Sequence, residues 1–212
     1  APSDAVGLLR TASLIRTARA EVPGALLFDN GDLLQGSPKA DSLAETGKIG
    51  AGRLHPMIAA MNALGYDAAT PGNHDFNFGL PFLEQAIGGA AFPFVLANVR
   101  RVADRSGRDR AFLPPHVLLD RSFPDRSGQP RALRIGGIGF VPPQILRWAR
   151  DFLDGRLVAE DIVTSARRLV PALRKAGADL VLALCHTGIG GTEAQDGMED
   201  AAIPAARVAG ID

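Results

Sequence analysis

The sequence predicts an α/β fold, and three observations predict it. Helical apolar spacing alternates with short strand-like apolar runs along most of the chain, those runs stop abruptly in polar, glycine-rich segments, and a central stretch carries hairpin spacing in place of a helical crossover. The 212 residues, 46% hydrophobic and 22% charged, can bury a sizeable core and are most economically one domain. Basic and acidic residues balance at 23 each, and with one Trp and one Tyr this argues against a nucleic-acid polymer or an anionic membrane as partner. A single cysteine, Cys185, excludes an internal disulfide and leaves the compartment open. No apolar run reaches the roughly 20 residues of a spanning helix. The opening residues carry neither a basic leader nor a hydrophobic segment, so a soluble chain is expected, with any leader already removed.

In chain order, Leu8, Leu9, Ala12, Ile15 and Ala18 stand at helical spacing, closed by Pro23 and Gly24. Residues 25–28 then read as a buried strand running into Asp29-Asn30-Gly31-Asp32. Residues 56–64 repeat the pattern, with Pro56 at the helix start and Gly65 as C-terminal cap. A short strand at 67–70 leads into Pro71-Gly72-Asn73-His74-Asp75, a helix follows at 80–87, and residues 94–98 form a third strand. Residues 100–110, with five arginines, read as a solvated insertion. Residues 117–119 and 133–141 are strand-like and flank a turn-rich stretch with Pro124, Gly128 and Pro130, which implies a hairpin and a second, partly antiparallel sheet. A helix over about 161–176, kinked at Pro171, precedes a buried strand at 180–185 that ends in His186, and residues 201–208 form a last helix.

Asp32, Asn73 with His74, and His186 each follow a strand, where open α/β sheets place their ligands. A carboxylate, an amide oxygen and an imidazole together suit a divalent ion such as Zn²⁺, Mn²⁺ or Fe²⁺ better than Ca²⁺, which prefers oxygen alone. Cys185 is adjacent, but strand alternation turns it into the sheet as a core residue. His55 at a helix start and His116 in a loop have no ligand-like neighbours. Gly136-Gly137-Ile138-Gly139 is no dinucleotide turn, because Pro142-Pro143 falls where the phosphate-cradling helix would begin.

Gly31-Asp32, Gly72-Asn73-His74-Asp75 and the lone His186 resemble the spaced motifs of the calcineurin-like metallophosphoesterases. Within them, residues 29–38, 73–79 and 140–145 are similar to the bacterial 2′,3′-cyclic-nucleotide 2′-phosphodiesterase/3′-nucleotidases, and the likeness runs through nearly the whole chain. The resemblance implies a sandwich of two mixed β-sheets flanked by helices, and hydrolysis of 2′,3′-cyclic nucleotides and 3′-nucleotides by a hydroxide activated between two divalent ions (Mn, Zn, Fe or Co). It implies that Asp32 bridges the ions, that Asn73 and His186 bind the second, and that His74 sits unligated beside the phosphate as the catalytic histidine. Related 5′-nucleotidases, the alternative activity, orient that histidine with an aspartate at the position held here by Asn77, so Asn77 joins His74 in the catalytic set and favours the cyclic-nucleotide branch. An amide at 77 can accept a hydrogen bond from the ring but cannot stabilise imidazolium by charge.

The family pattern also contains an earlier Asp-x-His, a later Gly-His-x-His and a C-terminal nucleoside-binding domain, none of which occurs in these residues. The expectation is a partial catalytic domain over 1–212, inactive alone, from an enzyme exported to the periplasm or cell surface. An inert fragment or binding module is the competing expectation. No residue can be named for gripping the base.

Overall fold

The structure, a computed structural model, describes residues 7–45, 49–50, 52–103 and 110–212. Its longer helices lie where apolar spacing placed them: α1 (Leu8–Glu21), α3 (Pro56–Leu64), α4 (Leu80–Ile87) and α7 (Ile162–Lys175); α2 (Pro38–Glu45) lies between the first two. At the start of α3 the His55 side chain accepts the Met57 N–H, Pro56 occupies the first turn, and Gly65 closes the helix in the left-handed region. The Asp161 carboxylate caps α7 by accepting the Thr164 N–H, and the helix continues through Pro171. The last helix, α8 (Ala202–Ala206), is shorter than expected. It follows α5 (Ile145–Trp148) and α6 (Arg150–Leu153) in the count, both of which escape periodicity because so few turns carry little repeat, whereas α2, as long as α4, escapes it because half of its residues are polar or charged.

Strand length varies from two residues to eleven. β1 (Phe28–Asp29) and β2 (Ala68–Ala69) pair in parallel. β5 (His116–Pro124) and β6 (Pro130–Phe140) form the expected hairpin, longer than the apolar runs alone suggested, and His116 opens β5 instead of lying in a loop. β6 also pairs in parallel with β8 (Leu180–Cys185), from Ile135↔Leu180 to Phe140↔Cys185. A third ladder joins β3 (Val99–Arg101) to β4 (Arg110–Ala111) and to β7 (Leu157–Ala159), all antiparallel.

That third ladder corrects two expectations. Regular pairing begins at Val99, and of residues 94–98 only Phe94 bridges, to Ala69. The arginine-rich stretch, expected to be a solvated insertion, is strand at both of its ends, while residues 104–109 lie outside the described residues. Val99 is buried and Arg100 exposed, so a strand that buries one apolar residue and turns arginine outward looks like loop by composition.

Residues 93–97 stitch the ladders together. The Ala69 N–H donates to Pro93 O, the Val95 N–H to Ala69 O and the Ala97 N–H to Gly139 O at 2.7 Å. This brings the carboxyl ends of β1, β2 and β8 to one rim. Gly139 is required at the seam: a Cβ there would lie 2.2 Å from Val95 O and 2.5 Å from Thr70 Oγ1. Gly139→Ala is therefore expected to destabilise by about 1–3 kcal/mol, read as a lower denaturant midpoint at unchanged slope. One core cluster, including Leu34, Met61, Phe76, Leu83 and Leu96, lies below the Asp32 and Asn73 loops. A second, including Ile138, Phe140, Ile162, Val170 and Val181, packs α7 onto β6 and β8.

Candidate metal and phosphate site

The site is built on two turns pressed backbone to backbone. Past β1, Gly31 adopts φ 93°, and a Cβ on it would meet Gly72 N at 2.2 Å. Only glycine permits both the conformation and the approach. Asp32 follows at φ 64°, and among the described residues no other non-glycine has a positive φ. Aspartate tolerates this region better than most residues, but the surroundings must still hold it there.

Asp75 supplies that hold. Its carboxylate is fully buried and accepts four backbone N–H groups: Asp32 and Gly72 on Oδ2 at 2.9 and 2.8 Å, Leu33 and Leu34 on Oδ1 at 3.0 and 2.9 Å. One side chain thus ties the Asp32 turn to the Asn73 turn. Burial pushes the Asp75 carboxyl up, opposed by the N–H groups of Gly72, Leu34 and Asp32. Asp75 closes the Gly72-Asn73-His74-Asp75 motif, but its role as the shared acceptor of two turns has no signature in sequence, because three of its four donors lie some forty positions earlier.

The three strand-end residues meet. His186 Nε2 lies 2.9 Å from Asn73 Oδ1 and 3.3 Å from Asp32 Oδ2. The other ring nitrogen, Nδ1, donates to the Asn30 carbonyl at 2.6 Å. When the ring is neutral, that bond leaves the Nε2 lone pair facing two oxygen lone pairs, an arrangement only a proton or a cation between them relieves. The donor set therefore fits a divalent ion of intermediate softness. No three His, Cys, Asp or Glu side chains come together to hold a metal among the described residues; here the third donor is an amide oxygen. Burial pushes the Asp32 carboxyl up, but the His186 bond, the His74 N–H and the charge of both imidazoles outweigh it and hold the group below its usual range. His186 is raised, chiefly by its bond to Asp32, with burial opposing.

His74 begins a 3₁₀ turn (His74–Phe76) after β2, and its backbone N–H donates to Asp32 Oδ1 at 2.9 Å. Its exposed ring stands beside Asp32, with Nδ1 at 2.9 Å from Asn77 Nδ2. The nitrogen of the Asn77 amide, and not its oxygen, faces the ring, because the same nitrogen donates to Gln35 Oε1 at 2.8 Å. A cavity of about 240 Å³ adjoins the cluster, lined by Asn73, His186, Trp148, Glu199 and Asp200 among others.

Cys185 contributes its carbonyl, which accepts from Asn30 Nδ2 at 2.9 Å, while its side chain packs against the α7 cluster. Burial pushes the thiol up to about 11, so native protein should react slowly with a disulfide reagent at pH 8 and promptly in denaturant. Rapid stoichiometric labelling of the folded chain would contradict that placement. His55 caps α3 and meets the Phe82 ring edge-on, far in role from any ligand.

No protein-family model matches the chain. It is 45% identical over 212 residues to the 2′,3′-cyclic-nucleotide 2′-phosphodiesterase/3′-nucleotidase of Haemophilus influenzae, covering all of this chain and 32% of that protein. It is 43% identical over 210 residues to the trifunctional nucleotide phosphoesterase protein YfkN of Bacillus subtilis, covering 97% of this chain and 14% of that protein. The crystal structure of calcineurin-like phosphoesterase YfkN from Bacillus subtilis superposes with a TM-score of 0.91 at 42% identity, over 99% of this chain and 63% of that one. The chain thus spans about a third of the length of the Haemophilus relative it matches.

Proposed function

We propose, since this chain has the calcineurin-like phosphoesterase fold, that it carries part of the active site of a divalent-metal-dependent nucleotide phosphoesterase acting on 2′,3′-cyclic nucleotides and 3′-nucleotides. The observation that carries the reading is the convergence of His186 Nε2, Asn73 Oδ1 and Asp32 Oδ2 beside the exposed His74 ring. Asp32, Asn73 and His186 would hold the ion, which supplies Lewis acidity to a phosphate ester when bound. Asp75 and the Gly31–Gly72 contact hold Asp32 in position before anything binds. His74 stands outside the ligand set, free to hydrogen-bond a phosphate or leaving oxygen. The names of the Haemophilus and Bacillus relatives support the substrate class. The exported, periplasmic address belongs to the same proposal, and among the described residues no helix is long and apolar enough to cross a membrane.

The test is hydrolysis by the full-length protein of 2′,3′-cyclic AMP, 3′-AMP and 5′-AMP with added Mn²⁺. Preference for the first two supports the reading; turnover of 5′-AMP alone would replace it with a 5′-nucleotidase. His74→Ala is expected to lower kcat by on the order of 10² to 10⁴ and to leave metal content unchanged. Loss of metal in parallel with activity would make His74 a ligand and the assignment wrong.

Metal binding carries a pH signature. Asp32 raises the proton affinity of His186, so in the metal-free protein the His186 side of this pair contributes stability that is fully present below its unfolded pKa of about 6.5 and is lost as pH rises through its raised folded value, while the Asp32 side is lost only as pH falls through that carboxyl's lowered folded value. An ion competes with that proton. Calorimetry should therefore find Mn²⁺ affinity climbing about tenfold per pH unit below the folded pKa of His186, then levelling. A flat profile from pH 5.5 to 8 would remove His186 from the ligand set.

A further inference from the structure

The hydrogen bonds around His74 hold one more assignment, which rests on the phosphoesterase reading above for its functional consequence but not for its chemistry. Asn77 Nδ2 sits 2.8 Å from Gln35 Oε1 and 2.9 Å from His74 Nδ1. An amide nitrogen has two hydrogens and no lone pair to offer. With one hydrogen taken by Gln35 Oε1, the other points at His74 Nδ1, which must accept. The proton of the neutral ring then resides on Nε2. Reversing the Asn77 amide alone would set its oxygen against Gln35 Oε1, so the orientation of one amide is enforced by the other.

We propose that Gln35 is a positioning residue that acts through Asn77 to hold His74 as its Nε2–H tautomer, a hydrogen-bond donor toward a phosphate oxygen of a nucleotide ester. Gln35 and Asn77 are both partly buried, whereas the ring they orient is exposed beside Asp32. The main chain fixes their spacing, because Asp75 ties the neighbouring Leu34 N–H into the same turn that presents His74. A neutral amide pair thus does by geometry what a carboxylate does by charge in other catalytic histidines: it selects which nitrogen carries the proton. The wrong tautomer would turn a lone pair toward the phosphate oxygens and repel them.

Two variants separate the possibilities. A carboxylate at position 35 can only accept, so Gln35→Glu preserves the Asn77 orientation, whereas Gln35→Ala releases it. The first readout is the ¹⁵N spectrum of the histidine-labelled full-length protein without metal, at alkaline pH where imidazole is neutral, with His74→Gln used for assignment. The expected result is a protonated Nε2 and a bare Nδ1 in the parent and in Gln35→Glu, and a mixture of tautomers in Gln35→Ala. The second readout is kinetics of the full-length Mn²⁺-loaded protein on 3′-AMP: Gln35→Ala loses on the order of 10- to 100-fold in kcat at nearly constant KM, and Gln35→Glu restores most of that loss. A proton on Nδ1 in the parent overturns the proposal, as does a Gln35→Ala variant with unchanged tautomer and kcat. Absence of any phosphoester hydrolysis by the parent sinks the phosphoesterase reading and leaves the nitrogen spectrum to decide the tautomer.

Discussion

Asp75→Ala is expected to cost about 3–5 kcal/mol of stability, because it leaves four backbone N–H groups buried or half-buried with no acceptor. Each orphaned donor costs about 1–3 kcal/mol in isolation, and loop relaxation recovers part of the sum. For a domain of this size the melting temperature should fall by roughly 10 °C. Asp75→Asn should behave similarly despite its shape, since one acceptor oxygen becomes an NH₂ pointed at N–H donors. The loss should be coupled to function. Asp32 stands at φ 64° with its own N–H bonded to Asp75, and removing that restraint on an unfavourable conformation should lower Mn²⁺ affinity alongside stability. A variant that melts within 2 °C of the parent, a window set by the roughly 2–4 °C per kcal/mol expected at this size, would show that water replaces Asp75 without cost.

The second large effect concerns Asp32 itself. Asp32→Ala would confound loss of the proposed ligand with strain, since alanine resists the left-handed region. Asp32→Asn avoids this, because asparagine adopts the same conformation and keeps an oxygen for the His74 N–H, now 2.9 Å from Asp32 Oδ1. What it removes is the negative charge. The expectation is a folded protein of near-parent stability whose affinity for Mn²⁺ falls by on the order of 10² and in which the phosphoesterase activity proposed for the full-length form falls by 10³ or more. Retention of tight metal binding would move the ligand role to another group. The two variants are complementary: Asp75 loses the scaffold and then the metal, Asp32 the metal alone.

Much of this was readable in advance wherever a property is local. Apolar spacing marked α3, α4 and α7, and Gly65 marked the end of α3, because a helix declares its buried face and its left-handed cap within a few residues. Asp32, Asn73, His74 and His186 stood out because apolar runs stop at them, and a chain leaving a buried strand must turn polar at the rim. The strand at 99–101 was obscured by its arginines, and α5 and α6 by their four-residue length.

Other features exist only as relations between distant residues. That Asp75 would take its hydrogen bonds from residues 32–34, some forty positions earlier, depends on the packing of two turns, which Gly31 and Gly72 allow by lacking side chains. That the nitrogen of Asn77 would face His74 depends on Gln35, which no spacing rule connects to either. Residue types and their order determined which groups arrive at the rim and in what chemical variety. The tertiary structure alone decided which atom of each group faces which, because hydrogen-bond direction and lone-pair convergence are properties of positions in space to which one-dimensional periodicity is blind.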